Sequence, residues 1–195
     1  MKIALLLALS FLVPLSANAQ KTHSPVEVFG GYSFLKTTGA IFRARNIANG
    51  WNAGVTGNFT RYLGIEGRLA GHYGNYGPVI PFDDSYYLFQ AGPRFTYRLE
   101  RLTPWGHALF GVSQSRVDGA GAIKTSFAGT FGGGLDVIIH KRVALRVFQA
   151  DYVRMRINSI SAGGVGSLII VPTPSNNLSF SFGVVLKLGG GQMGS

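Results

Sequence analysis

Between Leu178 and Leu188 every second residue is large and apolar (Leu178, Phe180, Phe182, Val184, Leu186, Leu188), and the positions between them are Ser179, Ser181, Gly183, Val185 and Lys187. Successive side chains of a strand point to opposite faces, so this segment carries one apolar and one mostly polar face. The same beat recurs upstream. Leu63, Ile65, Leu69 and Tyr73 alternate with Glu66, Arg68 and His72; Trp51, Ala53, Val55 and Phe59 oppose Asn52, Thr56, Asn58 and Thr60; Tyr87, Phe89, Ala91, Phe95 and Tyr97 oppose Gln90, Arg94 and Thr96. The pattern predicts eight strands, at residues 26–35, 49–60, 63–73, 86–97, 105–115, 126–139, 143–157 and 178–188. Each is about the 9 to 11 residues that a tilted strand needs to cross hydrocarbon.

Connection lengths alternate. Residues 36–48, 74–85, 116–125 and 158–176 form four long connections, whereas 61–62, 98–103 and 140–142 are short. Strict alternation of this kind is what an antiparallel up-and-down transmembrane β-barrel produces, with long loops on the cell exterior and short turns, together with both termini, on the periplasmic side. Three strands strain the pattern. Pro93 removes a ladder donor, which predicts a bulge or locally weakened pairing. In the fifth strand the Ala108, Phe110 and Val112 face is taken as lipid-facing, opposite His107, Leu109 and Ser113. In the seventh, Val143, Leu145 and Val147 face outward and Arg146 inward, but Gln149 and Asp151 fall on the wrong parity unless a bulge lies near Phe148.

An apolar face can line a soluble, lipocalin-like ligand cavity or meet lipid. Phe34, Trp51, Tyr73, Tyr87, Tyr97 and Trp105 lie near strand ends, where interfacial aromatic girdles belong, which favours lipid. The opposite face then lines the lumen, and Glu27, Glu66, Arg68, Arg94, Asp136, Arg146 and Asp151 point into it. Charges there are tolerable when paired or hydrated. Eight strands leave a lumen just wide enough for side chains to fill, so an ion-pair plug is expected over an open channel, with a narrow gated pore as the alternative.

Composition and the N-terminus locate the chain. Of 195 residues 28 are Gly, 12% are aromatic, only 13% are charged and none is Cys. The charged share is about half that of a soluble domain. Lys2, an apolar stretch over 3–15 and Ala17-Asn18-Ala19 have the form of a signal peptide over 1–19. The barrel is expected over 20–188 with a short tail over 189–195, in a bacterial outer membrane. The formal net charge is +10, without a basic run that would suit nucleic acid. Outer-membrane lipids and surface glycolipid phosphates suit it better; the cationic, amphipathic segment Ile41-Phe42-Arg43-Ala44-Arg45 would suit such phosphates, with a solvated loop as the default reading.

The terminal segment Ser181-Phe182-Gly183-Val184-Val185-Leu186-Lys187-Leu188 gives the pattern a specific form. It is similar to the signal by which the barrel assembly machinery recognises its clients, with Ser181, Gly183, Leu186 and Leu188 at the defining positions, although Leu188 stands where an aromatic is usual. With this segment the chain resembles the small eight-stranded outer-membrane barrels typified by the OmpA transmembrane domain. A monomeric, non-enzymatic barrel with a structural or surface-interaction role through its four long loops is expected. No peptidoglycan-binding domain follows the barrel, so cell-wall tethering is not implied.

Candidate chemistry adds little. Lipid-hydrolysing barrels would need a nucleophile and base in register, and no membrane strand carries a His and Ser two apart. His72 is expected as an inward polar residue and His107, near Trp105, as an interfacial one. No His-x-His or His-x-x-x-His spacing exists, so neither metal nor cofactor is expected. Asp83-Asp84 beside Pro81 is an acidic turn before it is a calcium site. Gly129-Thr130-Phe131-Gly132-Gly133-Gly134 lacks the Lys-Ser/Thr ending of a phosphate loop and suits close strand packing instead.

Overall fold

The computed structural model describes residues 24–36, 47–75, 83–117, 123–163 and 167–189. The signal-peptide reading of 1–19, the cationic segment 41–45, the Asp83 and Asp84 side chains and most of the tail lie outside the described residues.

The eight strands are β1 (Val26–Lys36), β2 (Ile47–Asn58), β3 (Leu63–Asn75), β4 (Asp83–Thr96), β5 (Leu102–Val117), β6 (Ile123–His140), β7 (Val143–Gly163) and β8 (Ser167–Leu188). They form one closed antiparallel barrel in chain order. The seam joins β1 to β8 from Val26↔Leu188 to Lys36↔Leu178, so no edge is left along the membrane-facing wall. The short connections are tight turns. At the β2–β3 turn the Thr60 hydroxyl accepts from the Tyr62 and Leu63 amides at 3.2 and 2.9 Å, and the β4–β5 turn closes through the Leu99 amide and the Leu102 carbonyl at 2.9 Å.

The irregular strands resolve physically. β7 carries a bulge: Leu135 pairs with Phe148 but Asp136 with Arg146, and on the other side Arg146 pairs with Gly183 but Gln149 with Ser181. The extra residue restores Gln149 and Asp151 to the lumen, where both are buried. At Pro93 the pairing weakens without a bulge. Gly92 and Pro93 have no partners in the β4–β5 ladder, while Ala91↔Phe110 and Arg94↔His107 keep one register.

β7 and β8 run further than their alternation suggested. They stay paired from Tyr152↔Leu178 to Gly163↔Ser167, so most of the expected fourth long loop, 158–176, is a two-stranded ribbon. Its arms contain Ile157, Ile160, Ile169, Ile170 and Val171, β-branched residues that favour extended backbone. Pro172 and Pro174 pair with Asn158 and Arg156 beyond the last β1–β8 pair, where β8 is free of β1 and proline is tolerated.

The outer wall is apolar: Val55, Ile65, Phe95, Phe131, Phe148 and Phe182 are each about half exposed. Aromatics band it at both rims. On the short-turn rim Tyr62 stacks on Phe95 and on Tyr97, each at 6.1 Å between centroids. On the other rim the Trp51 indole N–H donates to the Tyr73 hydroxyl at 3.3 Å and Tyr87 donates to Tyr73 at 3.4 Å, while nearer mid-wall Tyr32, the partner of Phe182, meets Phe34 edge-on at 4.9 Å. Trp105 does not join a girdle. It is 5% exposed and turned into the lumen, because its odd position in β5 shares the face of Leu109 and Ser113.

Phe182→Arg drives a charge into mid-wall hydrocarbon and should cost about 2 to 4 kcal/mol, against about 0 to 1 kcal/mol for Leu188→Arg at the interface. Urea unfolding in bilayers checks the difference; equal costs would mean that the wall does not face lipid.

Candidate functional site

The middle of the lumen holds the charges. A carboxylate there has no bulk water and must find donors from the facing strands. β1 supplies Glu27, β3 Glu66 and Arg68, β4 Arg94, β5 His107, β6 Asp136 and β7 Arg146 and Asp151, all of them buried.

They form one connected network. Arg94 stands 3.2 Å from Glu66, 3.3 Å from Asp136 and 3.9 Å from Glu27, and its Nη1 also donates to Thr56. Arg146 forks onto Asp136, Nε to Oδ1 at 2.8 Å and Nη2 to Oδ2 at 3.2 Å, the planar geometry that guanidinium offers a carboxylate. Arg68 reaches across the lumen to Asp151 at 2.5 Å and donates also to Gln90 and Thr130. Gln149 joins the two halves, accepting from Arg146 at 3.0 Å and donating to Asp151 at 2.6 Å. At the short-turn end, outside the expected set, Arg98 closes the network on Glu27 at 3.0 Å. Glu66 and Arg68, neighbours on one strand face, thus serve different partners.

His107 was expected at the interface and lies in the centre instead. Its Nδ1 is 3.1 Å from Glu66 and its Nε2 3.1 Å from Asp151. Parity carried the signal, since His107 shares the inward face of β5 with Leu109; proximity to Trp105 misled because Trp105 itself points inward.

Trp105 supports the cations. The Arg94 and Arg146 guanidinium carbons stand 4.1 and 4.2 Å from its ring centroid, and Arg146 is also 4.0 Å from the Phe29 ring, within the range where an aromatic face attracts a cation. Glycine makes the room. A Cβ on Gly134, which pairs with Trp105, would come within 2.7 Å of the indole, and one on Gly132 would collide with the Asp151 carboxylate. The glycine run of β6 is therefore a recess for lumen side chains. At the seam, Gly183 lies against Gly31, and a Cβ on Gly31 would sit 2.8 Å from the Phe29 ring. Ser181 faces the lumen while Leu186 and Leu188 face outward, so the terminal segment fills a defined place at barrel closure.

Above the charges the lumen turns apolar. Leu35, Ala48, Ala70, Tyr86, Leu88, Ala128, Val153 and Met155 form one buried cluster toward the long-connection rim. Between the layers, Ser33 meets His72 Nε2 at 2.9 Å, Ser179 at 3.1 Å and Ser181 at 2.9 Å. This serine-histidine pair, joined across β1 and β3, has no sequence signature. It is sealed, with Ser33 0% and His72 1% exposed, and His72 Nδ1 faces no orienting acid. Among the described residues no group of His, Asp and Glu is arranged to hold a metal ion.

Asp151→Ala leaves Arg68 with only the neutral Gln90 and Thr130, and should destabilise the barrel by about 3 to 5 kcal/mol. Glu66→Ala should cost less, because Arg94 keeps Asp136, and Glu100→Ala at an exposed turn should stay within about 0.5 kcal/mol. Guanidinium unfolding in bilayers orders the three; equal values for Asp151 and Glu100 would dissolve the network.

Comparison with known proteins agrees with this architecture. The family described as outer membrane protein beta-barrel domain matches residues 4–187. No curated protein matches the chain. Among solved structures, Neisserial surface protein A (NspA) is similar at TM-score 0.60 and 16% identity, covering 85% of this chain and 98% of that one. Ail, the attachment invasion locus protein of Yersinia pestis, is similar at TM-score 0.53 and 16% identity, covering 84% and 98%. Ail in complex with the heparin analogue sucrose octasulfate is similar at TM-score 0.50 and 15% identity, covering 84% and 99%. With the family matched along nearly its whole length and the closed eight-stranded wall in place, the chain belongs to the outer membrane protein beta-barrel family and is a barrel of the bacterial outer membrane.

Proposed function

We propose that this protein is a non-conducting, non-enzymatic barrel that works from its surface, with the long-connection rim facing the cell exterior and meeting the phosphate groups of surface glycolipids. The filled lumen carries this reading: guanidinium and carboxylate groups contact one another across mid-height, and an apolar cluster lies against them toward the outer end. A hydrated ion would have to part both layers. The Ser33–His72 pair lies beneath the same apolar cluster, out of reach of a lipid substrate.

Charge on the outer rim supports the choice of partner. Lys36, Arg116 and Arg154 are exposed and lie on the outward faces of β1, β5 and β7, beyond the aromatic band that includes Phe34, Tyr87 and Tyr152. Arginine forks suit phosphate oxygens. Ail, whose fold is similar, was solved with a polyanion, sucrose octasulfate. Export by a signal peptide cleaved after Ala19, delivery to the barrel assembly machinery by the terminal strand, and a monomeric barrel complete the proposal.

Purified protein in planar bilayers should show no discrete conductance steps. Regular steps that vanish on unfolding would instead establish the rival reading, a narrow gated pore in which the Arg94 and Arg68 pairs open.

A further inference from the structure

A second set of cations outside the lumen lies on the short-turn rim. The three turns, at residues 59–62, 97–101 and 140–142, contain Arg61, Arg98, Arg101, Lys141 and Arg142 against the single acid Glu100. Arg98 turns inward to Glu27 and is half-buried, while Arg61, Arg101, Lys141 and Arg142 are exposed.

Arg61 is held in place. Its Nη2 donates to the Arg98 carbonyl at 3.5 Å and the Arg98 guanidinium donates to the Arg61 carbonyl, so the two turns are tied to each other reciprocally. Its guanidinium carbon stands 5.7 Å from the Tyr62 ring, and Tyr62 stacks on Phe95 and Tyr97 in the outward aromatic band. Such a band marks the depth where hydrocarbon gives way to headgroups. A guanidinium anchored just beyond it sits at the level of lipid phosphates, and the neighbouring cations add a field that favours a headgroup of net negative charge over a zwitterionic one.

We infer that the short-turn rim is a selective site for anionic phospholipid headgroups, centred on Arg61 and completed by Arg101, Lys141 and Arg142. With the orientation proposed above, the lipids are those of the inner leaflet, so the protein grips a different lipid class at each rim. The turns are short and end at the membrane surface, which suits a lipid better than a cell-wall polymer.

The test uses the full-length folded barrel in phosphatidylcholine vesicles carrying trace spin-labelled phosphatidylglycerol or spin-labelled phosphatidylcholine, with the motionally restricted lipid read by electron paramagnetic resonance. The unaltered protein should prefer phosphatidylglycerol by about fivefold, and the preference should fall with added salt. The quadruple variant Arg61→Gln, Arg101→Gln, Lys141→Gln, Arg142→Gln should lose at least half of it, while Asn49→Gln and Thr125→Gln, at exposed uncharged positions on the other rim, should leave it unchanged. Heat-modifiable gel migration verifies that each variant is folded. Equal restriction of both lipids by the unaltered protein overturns the inference without any variant. So does a quadruple variant that keeps its preference, or one that loses binding to isolated cell-wall sacculi with lipid preference intact. Orientation is tested separately by impermeant labelling of Lys141→Cys on intact cells. Labelling there would reverse the leaflet while leaving the lipid preference at this rim standing.

Discussion

A charge placed inside a narrow barrel must find its counter-charge on another strand. Outside the wall is hydrocarbon, and inside there is no bulk water to solvate a lone guanidinium. The charged lumen contacts follow from this. Arg68 crosses from β3 to Asp151 on β7, and Arg94 gathers carboxylates from β1, β3 and β6. Such pairs add little net stability relative to apolar packing, but an unpaired member is costly. Their effect is to penalise wrong registers, since a one-residue slip turns every charge toward lipid. The bulge in β7 follows the same constraint, because without it Asp151 would face the membrane and Arg68 would have no counter-charge.

The network also needs a scaffold. Trp105 and Phe29 present ring faces to Arg94 and Arg146, and the β6 glycines clear the volume that the indole and the Asp151 carboxylate occupy. A glycine run that resembles a loop motif in sequence is thus part of the packing of a charged core. Its neighbour on the lipid side, Phe131, stays outward, so one strand serves both environments at alternate residues.

How much of this is legible without coordinates depends on the periodicity of each element. Where apolar and polar residues alternate cleanly, as in β3 and β8, face and partner environment follow from parity alone. The Phe148 bulge is legible too, since Gln149 and Asp151 are otherwise on the wrong side. Trp105 and His107 are misjudged when residue type is weighed above parity: an aromatic near a strand end suggests a girdle, yet its odd position sends it inward. The β7–β8 ribbon is hidden by two prolines, because sequence does not reveal that β8 has already left β1. The pairing of Arg68 with Asp151, 83 residues apart, and the meeting of Ser33 with His72 depend on barrel closure, which alternation predicts without fixing contacts.

The chain divides its charge by location. Acids and arginines meet in the lumen, and among the described residues exposed cations lie at both rims, where the proposed phosphate groups would meet them. The central claim is that the lumen is filled and closed. The two tryptophans offer the most direct measurement, because Trp51 lies on the outer wall and Trp105 in the lumen. Hydrogen exchange of the Trp105 indole N–H, followed by NMR in lipid nanodiscs and assigned with Trp105→Phe, should be slow, on the timescale of global unfolding. Exchange within seconds, under conditions in which the wall amides remain protected, would mean that water moves freely through the lumen and would contradict the account.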